Sequence, residues 1–258
     1  MTGRSISSVT LGAVFVREIT LVLRSPFSRV FSLAQPLVYL ALFSPLLAGL
    51  AGDGGIDGAG ALQWFLPGVL VMICVFGTGA VGANVQVEIR TGCYERILAT
   101  PLSRAAIPTG RALKEFAPLV VQALLITVVA LALGVSLRPV PVLIGLILLG
   151  VFGIGMGALS FALAVVTRGK EWMFWTVQQS LTFPVLLLSG MILPLETRPA
   201  WMQTASRFNP LTYLVDAERA LFTGTPDSPA VLWGGVAAVV VGVGGITVGI
   251  RAIRRSAR

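Results

Sequence analysis

The 258-residue chain contains no histidine and only two cysteines, Cys74 and Cys93. Without an imidazole there is no Ser-His-Asp relay and no His-containing metal site. The two thiols lack metal-ligand spacing, and a single pair makes no disulfide framework. Charge is scarce as well: Asp, Glu, Lys and Arg make up 12% of the residues, about half the usual share. A nucleotide-binding P-loop is missing, because the one Gly-Lys pair, Gly169-Lys170, is followed by Glu171. Gly77-Thr78-Gly79-Ala80-Val81-Gly82 fits a dinucleotide fingerprint in letters only. It lies inside an apolar run with no preceding strand, where small residues serve close helix packing. Gly153, Gly155, Gly157, Gly245 and Gly249 read the same way. These absences predict a chain that performs no bond chemistry and holds no cofactor or metal.

What is present is apolar side chain. Hydrophobic residues are 55% of the sequence and the mean hydropathy is +0.89, too apolar for a soluble core. A spanning helix needs roughly 20 apolar residues, and the chain offers six such runs: 30–50, 64–88, 116–136, 140–166, 172–193 and 229–250. Pro36 and Pro45 interrupt the first, as membrane helices tolerate when neighbours satisfy the freed carbonyls. Residues 1–29 carry Val9, Ala13, Val16, Ile19 and Leu23 at helical spacing. They predict an amphipathic helix, lying in the membrane interface or packed on a partner, rather than a secretory signal. The expected fold class is an all-α membrane protein with six transmembrane helices.

Of the 19 Lys and Arg residues, all but Arg138, Arg198, Arg207 and Arg219 fall in the two termini and the loops 88–115 and 167–171. The positive-inside rule places those segments, and both termini, in the cytosol. The net charge of +8 is therefore a topology signal rather than a nucleic-acid face. The interiors of the six runs hold no Asp, Glu, Lys or Arg. That argues against an ion-coupled secondary transporter or a voltage sensor, which need buried ionisable groups.

The cytosolic stretch 88–115 is the most informative. Residues 93–99 suit a short helix with Tyr94, Ile97 and Leu98 on one face and Glu95 and Arg96 elsewhere, ended by Thr100-Pro101. Held between two spans, it is a lever or an ordinary interfacial loop helix. Polar and aromatic residues inside the spans, namely Asn84, Gln86, Gln122, Gln178, Gln179 and Phe183, line a cargo path or bond between helices.

Four segments resemble one family, in order and spacing. They are Glu95-Arg96 with Ile97-Leu98-Ala99-Thr100-Pro101-Leu102-Ser103-Arg104; Pro67-Gly68 in the second span; Ser189-Gly190 through Pro194, then Pro199-Ala200-Trp201; and Asn209-Pro210-Leu211-Thr212-Tyr213 with Asp216 and Arg219. Together they are similar to the ABC type-2 export permeases, nearest to the daunorubicin-resistance-type and nodulation-type subgroups. Cys93 and Tyr94 stand where the family often has an acidic residue and glycines, a departure that touches the fine contacts of the coupling segment.

The resemblance implies a half-transporter working with two copies of a separate ABC ATPase, which would bind ATP and Mg, and with a second permease, identical or paralogous. It implies a domain plan of an interface helix at 1–29 and a six-span domain at 30–258. Residues 93–104 would be the coupling helix, contacting the ATPase through Tyr94, Glu95, Arg96, Ile97, Leu98, Thr100, Pro101 and Arg104. Short outer helices in 194–228 would form the exit gate, with Pro194, Trp201, Asn209 and Pro210. The implied location is a bacterial inner membrane. The implied cargo is an amphiphilic drug-like molecule or a lipid. A polysaccharide would want more aromatic surface than 8% supplies.

Overall fold

The computed structural model describes Val38 and residues 58–98, 106–132, 134–135, 137–191 and 199–256. The expected interface helix at 1–29 and the first span at 30–50, Val38 apart, lie outside them. The described residues form eight helices and no strand. These are α1 (Gly58–Arg90), α2 (Cys93–Leu98), α3 (Ala106–Ala132), α4 (Pro139–Val166), α5 (Glu171–Leu188), α6 (Ala200–Ser206), α7 (Pro210–Phe222) and α8 (Pro229–Ser256).

Three of them are long and apolar enough to cross a membrane, over Leu62–Arg90, Pro139–Val166 and Pro229–Arg255; Leu119–Ala132 is a shorter apolar stretch in α3. The expected runs and the helices differ at their ends for local reasons. α3 begins ten residues before its apolar run, so Arg111, Lys114 and Glu115 ride on a helix, not a loop. α5 stops at Leu188, short of 193, because Gly190 takes a left-handed φ of 76° that glycine adopts without a Cβ clash. The basic tail continues α8 to Ser256.

α4 is the central helix and packs on α1, α3, α7 and α8. Pro139 sits in its first turn, where the missing N–H costs nothing. Its glycines set the approach distances. A Cβ on Gly155 would collide with the Val241 carbonyl of α8, and one on Gly245 of α8 with the Gly155 carbonyl. Gly153 lies against Cys74 of α1, and Gly82 of α1 against Ser160 of α4. Gly77 differs from expectation, since nothing lies within 4 Å of where its Cβ would be.

Two apolar clusters result. The larger joins α1, α3, α4, α7 and α8 around Leu66, Leu70, Leu149, Phe152, Leu211 and Leu221. The smaller lies toward the chain's basic loops and contains Tyr94, Phe161, Phe174 and Ile253. We call that end, with Arg90, Arg168, Lys170 and the arginines of α8, the basic end.

Candidate functional site

At the basic end, Gly92 (φ 70°) turns the chain sharply after α1, and α2 folds back against α1. Tyr94 is fully buried in the smaller cluster. Glu95 is ion-paired with Arg168, in the turn between α4 and α5. Arg90, at the end of α1, pairs with Glu171, the first residue of α5, at 2.6 Å. Gln86 donates to the Ala164 carbonyl at 3.2 Å and to Thr167 Oγ1 at 2.9 Å. The short helix is therefore tied to α1, α4 and α5 together. The exposed ion pairs contribute little stability, about 0.2–1 kcal/mol each. The buried Tyr94 ring is the larger anchor. Arg96, Ile97 and Leu98 continue α2, but their side chains lie outside the described residues, as do Thr100, Pro101 and Arg104.

In the middle, Ser160 Oγ of α4 lies 3.2 Å from the Gly79 carbonyl and 3.1 Å from Gln178 Oε1, and accepts from Gly82 N–H at 3.2 Å. Beside this network lies a cavity of about 280 Å³ between α1, α4 and α5, walled by Val75, Thr78, Met156, Gln178, Leu181 and Thr182, among others. Of the other proposed path residues, Gln86 is buried in its interhelical bonds. Asn84 and Gln179 are exposed, Gln122 is half-buried, and Phe183 is 53% exposed on α5. Among the described residues the cavity gathers Gln178 alone of the six.

At the opposite end, Asn209 caps α7: its Oδ1 accepts from Leu211 N–H at 3.0 Å, and Pro210 opens the helix. Its Nδ2 donates to the Val185 carbonyl of α5 at 2.7 Å. Thr212 donates to the Leu188 carbonyl at 3.3 Å. Trp201 on α6 is 68% exposed, and Pro194 lies outside the described residues. In the sequence Arg219 is only the last residue of a motif. Its guanidinium donates to the Gly190 carbonyl at 2.8 Å and lies 3.8 Å from the centroid of the Trp64 ring. One side chain thus clasps the end of α5 to the start of α1.

The expectation that the chain buries no carboxylate needs correction. α7 points Leu211, Leu214, Val215, Glu218, Leu221 and Phe222 inward, and Glu218 is 0% exposed with neither carboxyl oxygen hydrogen-bonded among the described residues. It abuts Gly145 of α4, where any Cβ would collide with it. The apolar runs give no sign of Glu218, because it arrives on a helix too short to cross. Burial pushes its carboxyl up to about 8, since the charged form loses water without gaining a partner.

Comparison with known proteins bears on this arrangement. Residues 10–223 match the family of ABC-2 type transporters. The "Daunorubicin resistance ABC transporter permease protein DrrB1" of Streptomyces coeruleorubidus is 30% identical over 195 residues, 74% of this chain and 67% of that protein. The "Probable multidrug ABC transporter permease YbhR" of Escherichia coli K12 is 24% identical over 62% of this chain and 44% of its own length. "Nodulation protein J" of Rhizobium leguminosarum bv. trifolii is 26% identical over 75% of this chain and 73% of its own. The family match spans α1, the short helix α2 and the Asn209–Arg219 clasp alike, and on that breadth the chain belongs to the ABC-2 type transporter family, as a membrane permease of an ABC transporter.

Proposed function

We propose that the chain is one permease of an ATP-driven exporter that moves amphiphilic small molecules, drugs among them, out of the cytosol or inner leaflet of a bacterial inner membrane. The observation that carries this reading is the lever: α2 is bound at once to α1 and to the α4–α5 turn, through Tyr94 and the Glu95–Arg168 pair. Force applied to α2 reaches three helices. A separate ABC ATPase, in two copies holding ATP and Mg, supplies that force at 93–104. The basic end faces the cytosol, both termini with it, and the full chain has six spans. Asn209, Pro210, Trp201 and Pro194 belong to the outer gate.

Two features support the cargo class. The cavity beside Gln178 is apolar with a few hydroxyl and amide groups, a pattern that suits amphiphilic ligands. α5 exposes Trp172, Trp175, Leu181, Phe183 and Leu187. This surface suits a second permease across a shared path, with Gln179 and Phe183 lining it and Asn84 and Gln122 flanking. The buried Glu218 removes one ground against ion coupling. Family membership nevertheless favours ATP as the drive.

The test is ATP-dependent dye or drug efflux in vesicles carrying this chain and its ATPase. Glu95→Ala combined with Arg96→Ala is expected to uncouple ATP hydrolysis from transport. Unchanged transport and ATPase activity would sink the coupling assignment, and efflux driven by a pH gradient without any ATPase would replace it with secondary transport.

A further inference from the structure

At the basic end a groove of about 660 Å³ runs between the last turns of α4 and α8. Its walls come wholly from these two helices, with Leu159, Leu163 and Val166 on α4 facing Val248 and Ala252 on α8. Val166 is 71% exposed and Val248 42%. Its polar lining groups are Arg251 and Arg255. These lie one helical turn apart and so share a face. Both are exposed, and neither has a hydrogen bond or ion pair among the described residues. Above Arg251, Val236, Val240 and Val243 continue the exposed apolar face of α8 at helical spacing. An apolar track ending in two unpaired guanidiniums thus lies at the end of two membrane-length helices.

We infer that this groove binds an anionic phospholipid of the leaflet at the basic end. Arg251 and Arg255 hold its phosphate, and an acyl chain lies against Leu163, Val166 and Val248 and along the valine face of α8. The chemistry is specific on both counts. Two guanidiniums on one face present paired donors that match phosphate oxygens, and basic pockets between membrane helices select anionic head groups. The alternative is that the arginines only snorkel to water as part of a diffuse basic tail. That reading gives Arg254 and Arg258 the same weight as the pair in the groove, although Arg254 does not line it.

The full chain, purified in detergent and stripped of lipid, is titrated with phosphatidylglycerol or with phosphatidylcholine of the same acyl chains, and bound lipid is counted by native mass spectrometry. Wild type is expected to retain phosphatidylglycerol about 10-fold or more tightly than phosphatidylcholine. Arg251→Gln with Arg255→Gln should abolish that preference. Arg254→Gln with Arg258→Gln, which removes the same charge, should keep it. Val166→Trp leaves both arginines and fills an exposed wall, and it should weaken phosphatidylglycerol retention without affecting monodispersity. Equal binding of the two lipids, equal loss in both double variants, or full retention in Val166→Trp would each overturn the site.

Discussion

The Glu218→Gln substitution separates the shape of the buried acid from its charge. Glutamine matches the neutral carboxylic acid in size and cannot ionise. The helices packed on α7 include α1, α4 and α8, which carry Asp, Glu, Lys or Arg only at the basic end. Facing Glu218 are Gly145 of α4 and, near it, the Cys74 thiol of α1. Among the described residues neither carboxyl oxygen has a hydrogen-bond partner that would compensate a charge there. With its carboxyl raised from 4.5 to about 8, the folded chain holds a proton that the unfolded chain has already lost. Stability is then full below about pH 4.5 and falls by about 1.4 kcal/mol per pH unit until about pH 8. The total loss is on the order of 5 kcal/mol. Thermal unfolding of the full chain in detergent, followed by tryptophan fluorescence from pH 5 to 9, reads this directly. The wild type should lose ground to Glu218→Gln steadily up to about pH 8 and then run parallel to it. Parallel curves across the whole range would refute the claim that Glu218 is buried without a partner.

Other substitutions probe the two ends and the packing between them. Arg219→Ala removes the clasp on Gly190 and Trp64 and should destabilise by about 2 kcal/mol. Arg219→Lys should recover only part of that, measured by the same unfolding scan. Exchanging the charges of Glu95 and Arg168 should restore the transport lost in either single reversal, and a swap no better than the singles would rule out the pair as a link. Gly155→Leu should separate α4 from α8 and prevent a monodisperse fold, whereas Gly77→Ala should be silent in size-exclusion chromatography. Gln86→Leu should cost about 1–2 kcal/mol, because its amide bonds two helices. Wild-type stability and transport in that variant would instead free Gln86 to act elsewhere.

Much of this was readable from letters alone, for definite reasons. Length and hydropathy mark α1, α4 and α8 because a membrane-length helix needs little else. The Asn209-Pro210 pair announces a helix start since a capping amide and a proline without N–H both belong there. The break at Gly190 was harder to see, because only the backbone angle distinguishes a turning glycine from a packing one. Charge misled twice. Arg111, Lys114 and Glu115 looked like loop residues, yet a helix that runs past its apolar stretch keeps its hydrogen bonds and merely changes its side chains. Glu218 looked like part of a polar outer segment, although Leu211, Leu214, Val215, Leu221 and Phe222 around it already had inward helical spacing. The contacts of Arg219 had no sequence signal, since a carbonyl of α5 and a ring of α1 meet it only through the fold.

The two ends of the molecule are linked by the same helix. α4 joins α1 through the bonds from Gln86, the turn that follows it pairs with Glu95 of α2, and the helix passes α8 at Gly155 and reaches Glu218 at Gly145. Backbones in such close contact transmit displacement rather than absorb it, because a packed core has little room to yield. α5 is held differently. Among the described residues it buries only Phe174, in the cluster with Tyr94, and Leu186, beside the clasp of Asn209 and Arg219. Fastened at both ends and loose between them, it packs less tightly than the long helices α1, α3, α4 and α8. In the coupling proposed above, force entering at α2 while the clasp retains the end of α5 would therefore work across the cavity beside Gln178, between a tightly packed wall and a loosely packed one.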